Sequence, residues 1–216
     1  MIIGLIGHAR SGKDTAASVI LEKGLVKGLK RYALAGPIKE CVNALFEWDG
    51  RHSDGNLKEA LVYCQRLNKK AFSKSLARHG LPEKVGHRTL LNEFLTRLII
   101  AHERAGHTIP NWYVPRIAYQ VFGTDTCREL LGENIWVDML PDRAVVSDVR
   151  YPNEAEAIKA KGGILLRIQG REAPKVAAHS SEEHVNRIIP DAYVDNSKGL
   201  KHLEQQLKAA IELLVL

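Results

Sequence analysis

The sequence predicts an α/β fold, a parallel sheet with helices on both faces, and three observations lead there. The chain opens on the apolar run "IIGLI" (2–6), turns through a glycine-containing loop, and continues as "KDTAASVILEK" (13–23) at helical spacing. That order, strand then loop then helix, is the unit from which parallel sheets are built. After Pro141 strand signals return, in "RAVVSDVR" (143–150), "GGILLRIQG" (162–170) and "DAYVDN" (191–196). Between and after them lie helical patterns, so strands and helices alternate. With 216 residues the chain is long enough for one substantial domain carrying a smaller inserted lobe.

Taken in order, residues 2–6 form a buried first strand and 13–23 a helix, with Gly24 as its C-cap. "RYALA" (31–35) reads as a short second strand stopped by Gly36 and Pro37, and "IKECVNALFEW" (38–48) as an amphipathic helix. From Asp49 to about Gly106 the chain is rich in Lys, Arg and His, with helical segments near 57–78 and 89–105 and no convincing strand. This stretch is expected to leave the sheet as a helical excursion. "NWYVPRIAYQVFGTDTCRELLG" (111–132) continues mostly helical with a break near Gly123. The three later strands follow, and "SKGLKHLEQQLKAAIELL" (197–214) closes the chain as a strongly periodic helix. There is no internal repeat and no low-complexity segment.

Composition narrows the class. A hydrophobic share of 45% with 26% charged residues is ordinary for a soluble globular protein. No apolar run approaches the roughly 18 residues that span a bilayer, so no membrane partner is expected. "MIIGLIG" lacks a basic leader and a cleavage site and suits a core strand rather than a signal peptide. Cys41, Cys64 and Cys127 stand far apart without CxxC pairing, which fits a reducing cytosol and argues against a zinc or disulfide framework. The formal charge of +6 favours anionic partners. The basic middle region lacks aromatic interleaving and any recognisable nucleic-acid module, so polyphosphate nucleotides are the expected anions and nucleic acid is not.

The chemistry concentrates in "GHARSGKDT" (7–15). Gly7, four residues, Gly12 and Lys13 match the spacing of a phosphate-binding loop. Glycines let the backbone curl and aim successive N–H groups at phosphate oxygens, and the following helix adds its positive end. Lys13 would reach the terminal phosphates. Asp14 stands where such loops usually carry a hydroxyl that ligates Mg²⁺. A carboxylate also holds Mg²⁺, directly or through water, while Thr15 still donates to a phosphate. The bland role for Asp14, an acidic residue in a first helical turn, can coexist with this. A second group is "VVSDVR" (145–150), where Asp148 at a strand end suits the Mg²⁺ water shell. Arg150, two residues on, points to the same side if the extended geometry persists.

Together "GHARSGKDT", "LAGPIKE", "FGTDTCRELLGENIWVD", "VVSDVRYPNEAEAIKAKGG", "HSSEEHV" and "VDNSKGLKHLEQQL" resemble, in this order, the bacteriophage deoxynucleoside monophosphate kinases. The resemblance implies a P-loop NTPase-type three-layer fold: a parallel five-stranded sheet in a single domain spanning 1–216, with a helical acceptor-binding lobe at about 43–122 and a short lid at about 170–185. It implies phosphoryl transfer from ATP, with Mg²⁺, to a deoxynucleoside monophosphate. The nucleotide loop then falls on Arg10, Ser11, Gly12, Lys13, Asp14 and Thr15. The acceptor side falls on Lys39, Arg128 and Trp136, and the reacting centre on Asp148 and Arg150, with both aspartates near the metal.

Arg167 and Arg171 flank the end of the 162–170 strand, where a lid would begin, and Arg171 alone lies beyond it. A cation there would neutralise charge on the transferring group. "HSSEEH" (179–184) invites a metal reading, but its histidines are five apart rather than four, and Ser180 with Glu183 makes a capping box. Trp136 either stacks on a base or packs in the core. The Gly-Lys-Asp-Thr loop also looks like phosphomevalonate kinases, so a kinase of another phosphorylated metabolite, dephospho-coenzyme A included, remains open. A nucleic-acid-associated ATPase is the alternative from another class. A GTPase switch is disfavoured, since no DxxG occurs and "NKKA" (68–71) lacks the Asp of a guanine-reading motif. The resemblance also leaves a homodimer open, and a cytoplasmic setting, that of the host if a phage encodes the chain.

Overall fold

The computed structural model describes residues 1–8, 10–81, 86–170 and 180–215, with the side chains of 180–183 left aside. The chain divides into two compact units, one built from Met1–Leu34 and Leu140–Leu216, the other from Ala35–Met139. Each has its own hydrophobic core.

The first unit holds the sheet. Its strands are β1 (Ile2–Ile6), β2 (Lys30–Tyr32), β5 (Ala144–Val146), β6 (Ile164–Gly170) and β7 (Ala192–Asn196). Their order is β2-β5-β1-β6-β7 and every pairing is parallel. Strands buried on both faces read as continuous apolar runs, as "IIGLI" does. On one face Ile3, Leu5, Val145, Leu166 and Val194 pack against Ala16, Ala17 and Ile20 of α1 (Lys13–Glu22) and Leu203, Leu207 and Ile211 of α10 (Leu200–Val215). Gly4 points to the other face, where a side chain would meet Leu165, Val149 and Ile158 of α8 (Pro152–Ala160). The expected three-layer α/β fold with a five-stranded parallel sheet is therefore present.

Two strand limits differ from the sequence expectation. The second strand ends at Tyr32 rather than running to residue 35, because Leu34 N donates to the Asp148 carboxylate (2.8 Å) instead of a ladder partner. The strand expected at 143–150 stops at Val146, where its register with both neighbours stops, opposite Gly4 and Tyr32. Asp148 and Arg150 thus lie beyond the strand, and strand alternation does not fix their common direction.

The second unit is helical, with α2 (Gly36–Phe46), α3 (Gly50–Ser53), α4 (Lys69–Arg78), α5 (His87–Arg104), α6 (Pro115–Gln120) and α7 (Glu129–Leu131). Pro37 sits in the first turn of α2, where its missing N–H costs nothing, so the helix starts earlier than expected. The helix expected at 57–78 begins only at Lys69, capped by Asn68 Oδ1 accepting from Ala71 N (3.0 Å). Ahead of it Val62–Tyr63 (β3) pairs antiparallel with Trp112–Tyr113 (β4), so a small two-stranded sheet exists where none was expected. Nor does the chain break near Gly123: Val121–Arg128 is a π-helical segment joining α6 to α7. Gly123 is needed because a side chain there would stand 2.6 Å from Ile38 Cδ1. Phe46, Phe72, Phe94, Phe122 and Trp136 centre this unit's core, with Phe94 and Phe122 meeting edge to face. In chain order α9 (Ser180–Arg187) falls between β6 and β7 of the first unit. No helix among the described residues is long and apolar enough to cross a membrane.

Candidate phosphate-binding site

The loop from Gly7 to Gly12 leaves the C-terminal end of β1, and the segment holding Asp148 leaves the same end of the neighbouring β5. Ligands of open α/β sheets collect at that edge. Gly12 has φ +94 and is the N-cap of α1, a left-handed position that a side chain resists. A Cβ on Gly7 would stand 2.6 Å from Ser11 Oγ and 2.7 Å from Ile168 O, so the loop is too tight there for anything but glycine. Arg10 is a non-glycine residue at φ 64, a strained conformation of the kind that clusters at ligand sites. Ala9 lies outside the described residues.

Inside this curl Ser11 Oγ is buried and has no hydrogen-bond partner among the described residues. A buried hydroxyl without a partner is costly, and a phosphate oxygen entering the loop supplies one. Lys13 folds back over the turn, its Nζ donating to Gly7 O (2.8 Å) and His8 O (2.7 Å). Asp14 and Thr15 are exposed on the first turn of α1. Arg31 braces that turn from β2, donating to Asp14 O (2.5 Å) and Ser18 Oγ (3.1 Å). A hollow of about 560 Å³ runs along it, bordered by Asp14, Thr15, Ser18, Arg31, Leu200 and Lys201.

Asp148 Oδ1 accepts from Leu34 N (2.8 Å), which orients the carboxylate, and Arg150 is exposed with its backbone N donating to Glu154 Oε2 (2.8 Å). Both carboxylates offer hard oxygens, and Mg²⁺ characteristically takes one or two of these plus phosphate and water. That donor set fits Mg²⁺; no cluster of three or more acidic, His or Cys ligands exists among the described residues.

In the helical unit, Lys39 Nζ pairs with Asp54 Oδ1 at 2.6 Å. Arg128, half-buried, ends the π-helical segment. Trp136 is 1% exposed, its Nε1 donating to Gly123 O (2.8 Å), so the indole packs in the core and has no open face for a base. Of the two roles open to Trp136, stacking or packing, the structure gives packing, with the indole bonded to the π-helical segment at Gly123. Arg171, the capping box Ser180–Glu183 and most of the expected lid at 170–185 fall outside what the structure describes. Arg167 does not face a phosphate: it donates to Val185 O (2.8 Å) and Ile188 O (2.6 Å), at the C-terminal end of α9.

Three features escaped sequence reasoning. Asn196 donates to Ser11 O (3.0 Å) and so supports the loop from β7. Buried Glu154 accepts from Arg150 N and Tyr151 N, fixing the segment after β5. Arg97 holds the π-helical segment through Asp125 O and Glu129. Their partners are distant in sequence or are backbone atoms, so no motif marks them.

The fold and the loop define a three-layer α/β protein of the P-loop kinase type, with a tight glycine-bounded loop after its first strand. Within that class, the family model for deoxynucleotide monophosphate kinase matches residues 1–72. The deoxynucleoside-5'-monophosphate kinase of Escherichia phage T5 is 25% identical over 183 residues, 74% of this chain and 72% of the relative. A protein of Acanthamoeba polyphaga mimivirus, provisionally named a deoxynucleotide monophosphate kinase, is 26% identical over 216 residues, 98% of this chain and 96% of its own length. The chain resembles the deoxynucleoside monophosphate kinases from its first strand to its last helix.

Proposed function

We propose that this chain transfers a phosphoryl group from ATP to a deoxynucleoside 5'-monophosphate, giving the diphosphate. The carrying observation is the tight loop around the unpartnered Ser11 hydroxyl, with Lys13 laid over it at the sheet edge. The names of the two viral relatives support the choice of acceptor.

Backbone N–H groups of residues 10–15 hold the donor phosphates, helped by the N-terminal end of α1. The hollow along that helix gives room for the nucleoside end of ATP. Lys39 and Arg128, which flank an acceptor-binding lobe at about 43–122, hold the acceptor phosphate, Lys39 exchanging Asp54 for it. An acceptor phosphate is already ionised at neutral pH, so no strong general base is required; alignment and cations carry the catalysis. Lys13, Arg150 and Arg171 are the cations assigned to the transferring group, Arg171 from a lid at about 170–185 that excludes water. Asp14 and Asp148 would hold Mg²⁺, which supplies charge neutralisation along the phosphates. The setting is the cytoplasm, that of the host where a phage encodes the chain.

An acceptor panel with ATP tests this reading: dAMP, dGMP, dTMP and dCMP beside phosphomevalonate and dephospho-coenzyme A. Diphosphate formed from one or more deoxynucleotides is the expected result. Turnover of another metabolite alone sinks the acceptor assignment, and turnover stimulated only by DNA sinks the kinase.

A further inference from the structure

In the helical unit, three polar side chains from three helices meet in a closed ring. Tyr119 Oη on α6 donates to Asn43 Oδ1 on α2 (2.6 Å), and Asn43 Nδ2 donates to Ser53 Oγ on α3 (2.8 Å). Ser53 Oγ and Tyr119 Oη lie 3.2 Å apart. The proton inventory fixes that last bond: the Tyr119 proton is already spent on Asn43, so Ser53 donates to Tyr119. Each group then donates once and accepts once around the ring, an arrangement in which bonds polarise one another.

Turning the Asn43 amide over reverses all three bonds together. The amide N–H then donates to Tyr119, Tyr119 to Ser53, and Ser53 to the amide oxygen, with nothing left unpaired. Ser53 and Tyr119 are 5% and 8% exposed, whereas Asn43 is half-buried. Burial pushes the Tyr119 hydroxyl up to about 12, so it keeps the proton that the ring needs. In either direction the amide retains a second N–H and a second carbonyl lone pair with no partner among the described residues. Lys39 lies one turn earlier on the same helix face, and α3 and its C-terminal neighbour anchor both, Ser53 holding Asn43 and Asp54 holding Lys39. A cation suited to phosphate thus stands beside an amide suited to a base edge, where a side-chain amide makes paired contacts.

We propose that Asn43 reads the base of the acceptor nucleotide, and that the reversible ring lets its amide face bases carrying either an amino or a keto group. This rests on the reading of the chain as a deoxynucleoside monophosphate kinase. The test is Asn43→Asp, a near-isosteric change in which both carboxylate oxygens still accept from Tyr119 and Ser53. Its free capacity is acceptor only: it still accepts from the 4-amino group of dCMP and no longer donates to the 4-keto oxygen of dTMP, whereas dGMP carries an amino group beside its keto group and is not diagnostic. The kcat/KM ratio of dCMP to dTMP should rise about tenfold or more, the scale of one lost paired base contact; a ratio cancels any charge effect common to both.

Ser53→Ala supplies a second variant. It lets Tyr119 donate to the amide oxygen in one direction and strands its proton in the other, so the ratio should move there too. Wild-type protein that phosphorylates none of the four overturns the functional reading itself. Active wild type with the ratio unchanged in both variants overturns this inference alone, leaving the ring a structural knot.

Discussion

The side-chain amide of Asn196 reaches 3.0 Å to the carbonyl oxygen of Ser11 and occupies the space beside Gly12, where a Cβ would stand 2.0 Å from Asn196 Nδ2. The end of β7 therefore sets the curvature of the loop after β1. Gly12→Ala meets two penalties: a left-handed backbone, about 1–2 kcal/mol for an L-residue, and displacement of Asn196. The expected outcome is a Tm lower by roughly 2–8 °C, read by calorimetry, with ATP affinity lost in titration.

Lys13→Ala leaves the Gly7 and His8 carbonyls without their ammonium donor but opens no core. The fold should survive, shown by an unchanged circular dichroism spectrum. Phosphoryl transfer should fall by about 10²–10³-fold, the range seen when one preorganised donor to a transition-state charge is removed. Near-normal turnover would remove this loop from the reaction.

Asp14 is exposed on the first turn of α1, where a carboxylate both meets the helix end and reaches solvent. Asp14→Ser restores the commoner hydroxyl of such loops. Activity should persist while the Mg²⁺ concentration giving half-maximal rate shifts by about tenfold; titrating Mg²⁺ at fixed ATP measures it. An unshifted Mg²⁺ curve would leave Asp14 as a helix-end residue only.

His102 carries a pH dependence. Its Nδ1 donates to Leu98 O (2.9 Å) and its Nε2 accepts from Val114 N (2.8 Å), so the ring is neutral and a second proton destroys the acceptor. Burial holds its pKa below the ordinary 6.5, with His107 adding to the effect. Because the folded value is depressed, the unfolded chain binds the proton first. Stability is full above about 6.5 and declines as pH falls through that value toward the lower folded one. Wild type should lose more stability between about pH 7.5 and about pH 5 than His102→Gln, with a linkage ceiling of about 2 kcal/mol for one imidazole over that window, measured by urea unfolding.

Much of the sheet unit was legible because its signals are local. The loop follows an apolar run by spacing alone, and β6, β7 and α10 announce themselves through period and flanking glycine. What stayed hidden depended on distant partners. Val62 and Tyr63 carry strand-forming side chains, but their pairing with Tyr113 and Trp112 lies some fifty residues away. Asp148 belongs to no strand because Leu34 claims its carboxylate. Trp136 leans only slightly toward packing in the sequence, and its burial and its contact with Gly123 decide for packing. The Asn43, Ser53 and Tyr119 ring joins three residues that sit in ordinary helical patterns.

All three cysteines lie in the helical unit, at positions 41, 64 and 127, and all are buried. Burial raises each thiol, Cys41 to about 11, so little thiolate exists at neutral pH. Alkylating reagents therefore meet these sulfurs only after local opening, while the sheet unit contributes no thiol signal. The native chain thus carries a label for one of its two halves: mass spectrometry after iodoacetamide treatment times the breathing of residues 35–139 without any engineered probe.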